Sequence, residues 1–253
     1  MTCLVALCLL HVGIEAAGLK AATSFAGHPD AAIHRVIDSL SNLAMKEEIL
    51  RYTDAAGESR PLDSLEAEVL IANGTEEYSG VRSGERTYRR ISEIHGLWSV
   101  GELVTMLRTT RDILGNSREV FPQRADDSTV IWFQATADDN LWFIMVGRRV
   151  FWVDFSGALR ISNRTGELMS LRWTSAAGPP GSGVAGISWE VNFEPTTVSG
   201  HTEILPARSI YRVVRAGRRG FAEWNQTRYT VLGRYGSTSS VTFSDQNPAG
   251  SPD

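Results

Sequence analysis

The chain has 253 residues, with 25 Lys+Arg against 29 Asp+Glu for a formal net charge of −4, 42% hydrophobic and 9% aromatic residues, 23 Gly and 9 Pro. This composition excludes long disordered, collagen-like and multi-span readings. It also gives no global attraction to nucleic acid or to an anionic membrane. The length suits one large all-β or mixed domain with a well-filled core.

Residues Leu4 to Val12, LVALCLLHV, form an apolar run too short to cross a bilayer as a helix. Small residues follow, and Ser24-Phe25-Ala26 carries them at signal-peptidase spacing. The segment therefore reads as a leader over residues 1–26, cleaved before Gly27, which places the protein in the periplasm or outside the cell. No Lys or Arg precedes Lys20, so the usual basic start is missing, and a buried N-terminal helix is the alternative. Cys3 and Cys8, the only cysteines, both fall in the leader. The mature chain is then expected to contain no disulfide, Cys-ligated metal or Cys nucleophile. Leu7 before Cys8 argues against lipidation there.

Helix signals occur twice. After His28-Pro29-Asp30, Ile33, Val36, Ile37, Leu40 and Leu43 recur on one helical face, which predicts a helix over 30–44. Ser99 and Glu102 form a capping box, Trp98 and Leu103 a hydrophobic staple, and Gly115 a stop, which predicts a second helix over 99–114. The rest reads as strand. Leu65 to Ile71 alternates up to the hairpin signal Asn73-Gly74, with Thr75 to Tyr78 returning. From Thr129 a meander is expected: Val130–Ala135, Leu141–Val146, Val150–Asp154, Ala158–Ser162, Leu168–Thr174, Ile187–Phe193, Ser209–Ala216, Phe221–Val231 and Ser240–Phe243. Short turns separate the strands, Ser156-Gly157 among them, and Ser175 to Gly186 forms a flexible loop. Ten or eleven strands exceed what a twisted open sheet carries without curling. The expected fold is mainly β (α+β): a curved antiparallel half-barrel, or a closed barrel, covered by two helices. One domain would span 27–244, with a flexible tail over 245–253.

The order of helix, long strand pair, capping helix and meander, carrying Phe151-Trp152-Val153-Asp154, Ser156-Gly157 and Leu159-Arg160-Ile161, resembles the outer-membrane lipoprotein-sorting, or lipoprotein-carrier-like, half-barrel superfamily. From Leu40 to Phe243 the chain is similar to a group of uncharacterised secreted bacterial proteins of that shape. The pieces that match are Leu40-Ser41-Asn42, Glu48 to Tyr52, Asp63 to Val69, Gly74 to Tyr78, Gly101 to Val104, Leu205 to Ser209 and Arg234 to Ser237. The resemblance implies a fold and a compartment, and no reaction. Where that group carries a cysteine three places after Asn42 and another two places before Arg234, this chain has Met45 and Leu232. The resemblance thus implies a lost disulfide and two positions that approach each other.

The mature histidines His28, His34, His95 and His201 are scattered without metal-ligand spacing, so no metal or other cofactor is expected. Asp126-Asp127, Asp138-Asp139 and Glu76-Glu77 read as solvated turn acids or as strand neighbours on opposite faces, not as a facing pair. No nucleophile elbow, SxxK or phosphate-binding loop is present. The arginines at 82–90 and 208–219 read as a polar outer face rather than a nucleic-acid groove. The three sequons at Asn73, Asn163 and Asn225 matter only in a eukaryotic secretory pathway. Aromatic residues crowd the strands, and Val130–Phe133 and Leu141–Val146 are apolar on both faces, so these residues either fill a two-sided core or line an apolar cleft. The leading expectation is a binding protein, not an enzyme and not integral to the membrane, that shelters a lipid or acylated ligand in its concave face. Leu103, Leu107, Trp132, Trp142, Trp152, Trp189, Val191 and Phe193 are the expected lining. The alternative is a non-enzymatic envelope module with a filled core that engages a protein partner.

Overall fold

The computed structural model describes residues 28–55, 57–116, 121–138, 140, 142–217 and 220–235; the expected leader, the expected strand Ser240–Phe243 and the expected tail lie outside them. Helix α1 (Pro29–Leu40) starts on the proline and buries Ile33, Val36, Ile37 and Leu40. It stops short of the expected 44 because Asn42 takes a left-handed φ of 57°, so Leu43 instead opens strand β1 (Leu43–Ala55). That strand went unread, although Leu43, Met45 and Ile49 are buried on one face. β2 (Glu58–Ala72) returns to β3 (Thr75–Ser83) through Asn73 and Gly74, both at positive φ as a two-residue hairpin turn requires. A two-residue strand, β4 (Arg86–Thr87), and a 3₁₀ turn at Ile91–Glu93 lead to helix α2 (Val104–Asn116).

The second half supplies β5 (Phe121–Arg124), β6 (Ser128–Ala135), β7 (Phe143–Val146), β8 (Arg149–Trp152), β9 (Phe155–Ser162), β10 (Leu168–Ser175), β11 (Val184–Val198), β12 (His201–Arg215) and β13 (Ala222–Arg234). Eleven strands form one sheet in the order β4-β3-β2-β1-β13-β12-β11-β10-β9-β6-β5, with every pairing antiparallel. The terminal strands β4 and β5 do not meet, so the sheet is open. Its curvature follows from length. α2 touches both β3 and β6, eight strand steps apart, or about 38 Å on a flat sheet. A 13-residue helix is only about 20 Å long. The sheet must wrap around it, and the molecule is a mainly β half-barrel whose concave side holds both helices.

The expected meander is interrupted once. β7 and β8 pair only with each other, and β6 runs directly beside β9. The chain between them leaves the sheet as a hairpin whose inner residue Ile144 packs on the core. Ser156-Gly157, read as a turn, lies inside β9 opposite Phe133 and Gln134. Gly157 is there for close approach: a Cβ would fall 2.0 Å from the Phe133 ring. β1 and β13, the first and last long strands, pair with Met45 opposite Val231 and Leu232 in the register shift beside Ala44. The two positions implied to approach are thus on neighbouring strands, but Met45 is buried and Leu232 exposed, on opposite faces.

Candidate functional site

Alternation along the strands sorts the inner face. Six of the eight expected lining residues, Leu103, Leu107, Trp142, Trp189, Val191 and Phe193, are buried in one cluster between the helices and the sheet. Trp132 and Trp152 are not part of it. In β6 the odd positions Ile131 and Phe133 face inward, so Trp132 points out and is 46% exposed, with Phe121 opposite it across the strand pair. Trp152 lies on the outer side of the β7–β8 hairpin against Phe143. Around these two tryptophans the runs Val130–Phe133 and Val150–Val153 are apolar at every position, which leaves no parity to read. Phe155, Trp173 and Tyr211 complete the inner ring cluster. Phe155 stacks on Trp173 at 4.4 Å, Trp142 contacts both, and Trp189 links Trp173 to Tyr211. Trp173 Nε1 donates to Thr110 Oγ1 of α2 at 3.1 Å, which ties helix to sheet inside the cluster.

Beside these rings, at the C-terminal end of α2, a hollow of about 880 Å³ opens to solvent. Ile113, Ala135 and Phe155 form its apolar floor, and Asp112, Asn116, Gln134, Asp154 and Thr174 its polar rim. Its size lies in the range of small-molecule sites. A second hollow of about 480 Å³ lies at the other end of β10, between Met169, Phe193 and Ile204 with Arg164 and Arg208.

A polar seam crosses the concave face between the main apolar cluster and a smaller one around Ile49, Leu65 and Ile94. Glu102 accepts from Trp189 Nε1 at 3.0 Å and from Ser209 Oγ at 2.8 Å, and Tyr229 donates to Ser209. Glu76 accepts the backbone N–H groups of Leu103 and Val104, at 3.2 and 2.7 Å, and the Tyr78 hydroxyl at 2.9 Å. Glu47, on the inner face of β1, is fully buried, and among the described residues neither carboxylate oxygen has a hydrogen-bond partner. Burial, reinforced by the neighbouring Glu102 and Glu76, pushes its pKa well above the usual carboxylate range. Burial also raises Glu102, against the opposing hydrogen bonds from Ser209, Tyr229 and Trp189.

The sequence missed this group. Glu76, read as solvated, caps a helix, and Glu102, read as half of a capping box, turns inward while Gly101 at φ 80° delays the helix to Val104. The facing acids are sealed beneath α2 and border neither hollow. Their chemistry is to hold protons in the core. Among the described residues no three His, Cys, Asp or Glu side chains are arranged to hold a metal ion, and no helix is long and apolar enough to cross a membrane. Comparison with protein-family models and with curated proteins found no match.

Proposed function

We propose that the chain is a non-enzymatic binding protein of the periplasm or the secreted fraction that shelters an acyl chain, or the apolar part of an amphipathic molecule, in its concave face. The resemblance to the lipoprotein-carrier-like half-barrels bears on fold and compartment, and the role rests on the concave face itself. The observation that carries it is the hollow at the end of α2, whose apolar floor continues into the Phe155, Trp173 and Trp142 rings while its rim is polar. An acyl chain entering between Ile113 and Ala135 meets aromatic surface and leaves its head group among Asn116, Gln134 and Thr174. Each buried methylene contributes about 0.8 kcal/mol. A longer chain requires α2 to lift from the sheet, displacing Leu103 and Leu107 from Trp189, Val191 and Phe193.

A second reading, an envelope module with a filled core, draws on the depth at which both helices are seated. Native mass spectrometry of the exported protein separates the two. The binding reading expects a lipid-sized adduct that collisional activation releases and that Ala135→Trp, which fills the hollow, abolishes. Protein that stays ligand-free, including after incubation with a long-chain fatty acid, contradicts it.

A further inference from the structure

The β7–β8 hairpin presents an apolar face that none of the described residues covers. Alternate residues on its inner side, Ile144 and Phe151, pack on the core. On the outer side Phe143 faces Trp152 and Met145 faces Val150 across the strands. These four side chains are 47%, 49%, 59% and 51% exposed. Together they offer roughly 400 Å² of apolar surface, given about 150–250 Å² per large side chain. A specific protein dimer needs about 800 Å² from each partner, so a second copy of the chain is a poor fit.

Charge decides the occupant. From Trp142 to Val153 the hairpin contains no Asp or Glu, and its only ionisable residues are Arg148 and Arg149 at the turn. Both are exposed, and among the described residues neither forms an ion pair. Arg149 lies 4.9 Å from the Phe151 ring centroid. The acids stand at the opposite end: Asp154 accepts from the Ala137 backbone N–H at the hairpin base, next to Asp138. Asn140 closes that base by donating to Val153 O at 3.0 Å. The result is a braced projection with a basic tip, an apolar outer face and an acidic foot.

We infer that the outer face of the β7–β8 hairpin docks flat on an anionic lipid surface, with Met145, Val150, Phe143 and Trp152 against the acyl boundary, while Arg148 at the turn and Arg149, which shares the Phe151 side of the strand, reach the head groups from the edge of that face. The Met145–Val150 pair sits next to the turn and the Phe143–Trp152 pair about 7 Å farther along. The two pairs share one face, so they enter the interfacial layer, roughly 5–10 Å deep, together. Trp and Arg are residues suited to that depth. The chain's net charge of −4 does not oppose this, because exposed charges beyond about 8–10 Å are screened at physiological salt. The inference does not depend on the hollow or on any ligand within it.

Sedimentation with phosphatidylcholine vesicles, with and without one-third phosphatidylglycerol, tests it on the full chain. The chain is expected to sediment with the anionic vesicles and far less with the neutral ones, and to be released by salt. Arg148→Ala with Arg149→Ala should weaken partitioning about tenfold to thirtyfold, since each basic residue near such a surface is worth about 1 kcal/mol. Met145→Ser with Val150→Ser should weaken it at unchanged charge. Both pairs are solvent-exposed, and thermal melting serves to check that each variant remains folded. Absence of binding to anionic vesicles at low salt overturns the inference. So does binding that both variants retain, or a dimer that only the hairpin variants dissolve.

Discussion

A carboxyl group with no partner in a protein core is rare because desolvation strongly disfavours its charge. Glu47 meets that condition, and Glu102, Glu76, Tyr78 and Tyr229 around it all have their pKa values raised, first by burial. For the three carboxyls this favours the protonated form in the native state at pH values where the unfolded chain, titrating near 4.5, has released its protons. With more protons bound in the native state, stability falls as pH rises from about 4.5 through the folded pKa values. The melting temperature is expected to decrease from pH 5 to pH 8. Glu47→Gln should raise it at pH 8 and reduce the slope, and scanning calorimetry across that range reads both effects. A melting temperature that rises with pH in both proteins contradicts the assignment. Spacing gave no sign of this cluster, since its members come from β1, β3, β13 and the segment before α2, and it is the pairing of strands distant in sequence, Glu47 opposite Tyr229 among them, that brings them together.

At the scale of elements, the periodic pieces were legible and their boundaries were not. β11 follows the expected alternation of Ile187, Trp189, Val191 and Phe193, β6, β10 and β13 lie where strands were expected, and α1 follows its apolar face. α2 was misplaced at its start because its capping group is distant in sequence: the Glu76 carboxylate takes the N–H groups that a local Ser99 box was expected to satisfy. Ser99 Oγ instead lies 3.4 Å from Glu102 Oε1. Glu76→Ala is therefore expected to cost about 1–2 kcal/mol, with Ser99→Ala costing much less. Urea denaturation at constant slope reads the difference, and equal effects from the two variants contradict this account. The hairpin β7–β8 was legible as two strands, but its departure from the sheet was not. Pairing partners are set by the chain around a strand, and two continuous apolar runs fit a central sheet position as well as a projecting hairpin.

For the whole molecule, strand count and the scarcity of helix were enough to indicate a curled sheet covered by two amphipathic rods, while leaving a closed barrel and an open half-barrel both possible. What the strand signals left open was how completely the rods fill the trough. Leu103, Leu107 and Val191 are sealed at zero exposure, yet the hollow at the C-terminal end of α2 remains, floored by Ile113, Ala135 and Phe155, the last of which stacks on the buried Trp173. The shelter reading thus depends on whether an acyl chain reaches those rings. Tryptophan fluorescence in a Trp132→Phe, Trp152→Phe variant tests this most directly. The substitutions remove the two half-exposed indoles and leave Trp142, Trp173 and Trp189 in the interior, Trp98 partly buried, and Trp224 stacked on Tyr52 and bonded to Asp54. Titration with a brominated long-chain fatty acid below its micelle concentration should quench the emission saturably, at one ligand per chain. Emission unchanged across the titration, or quenched only in linear, unsaturable fashion, would contradict the account.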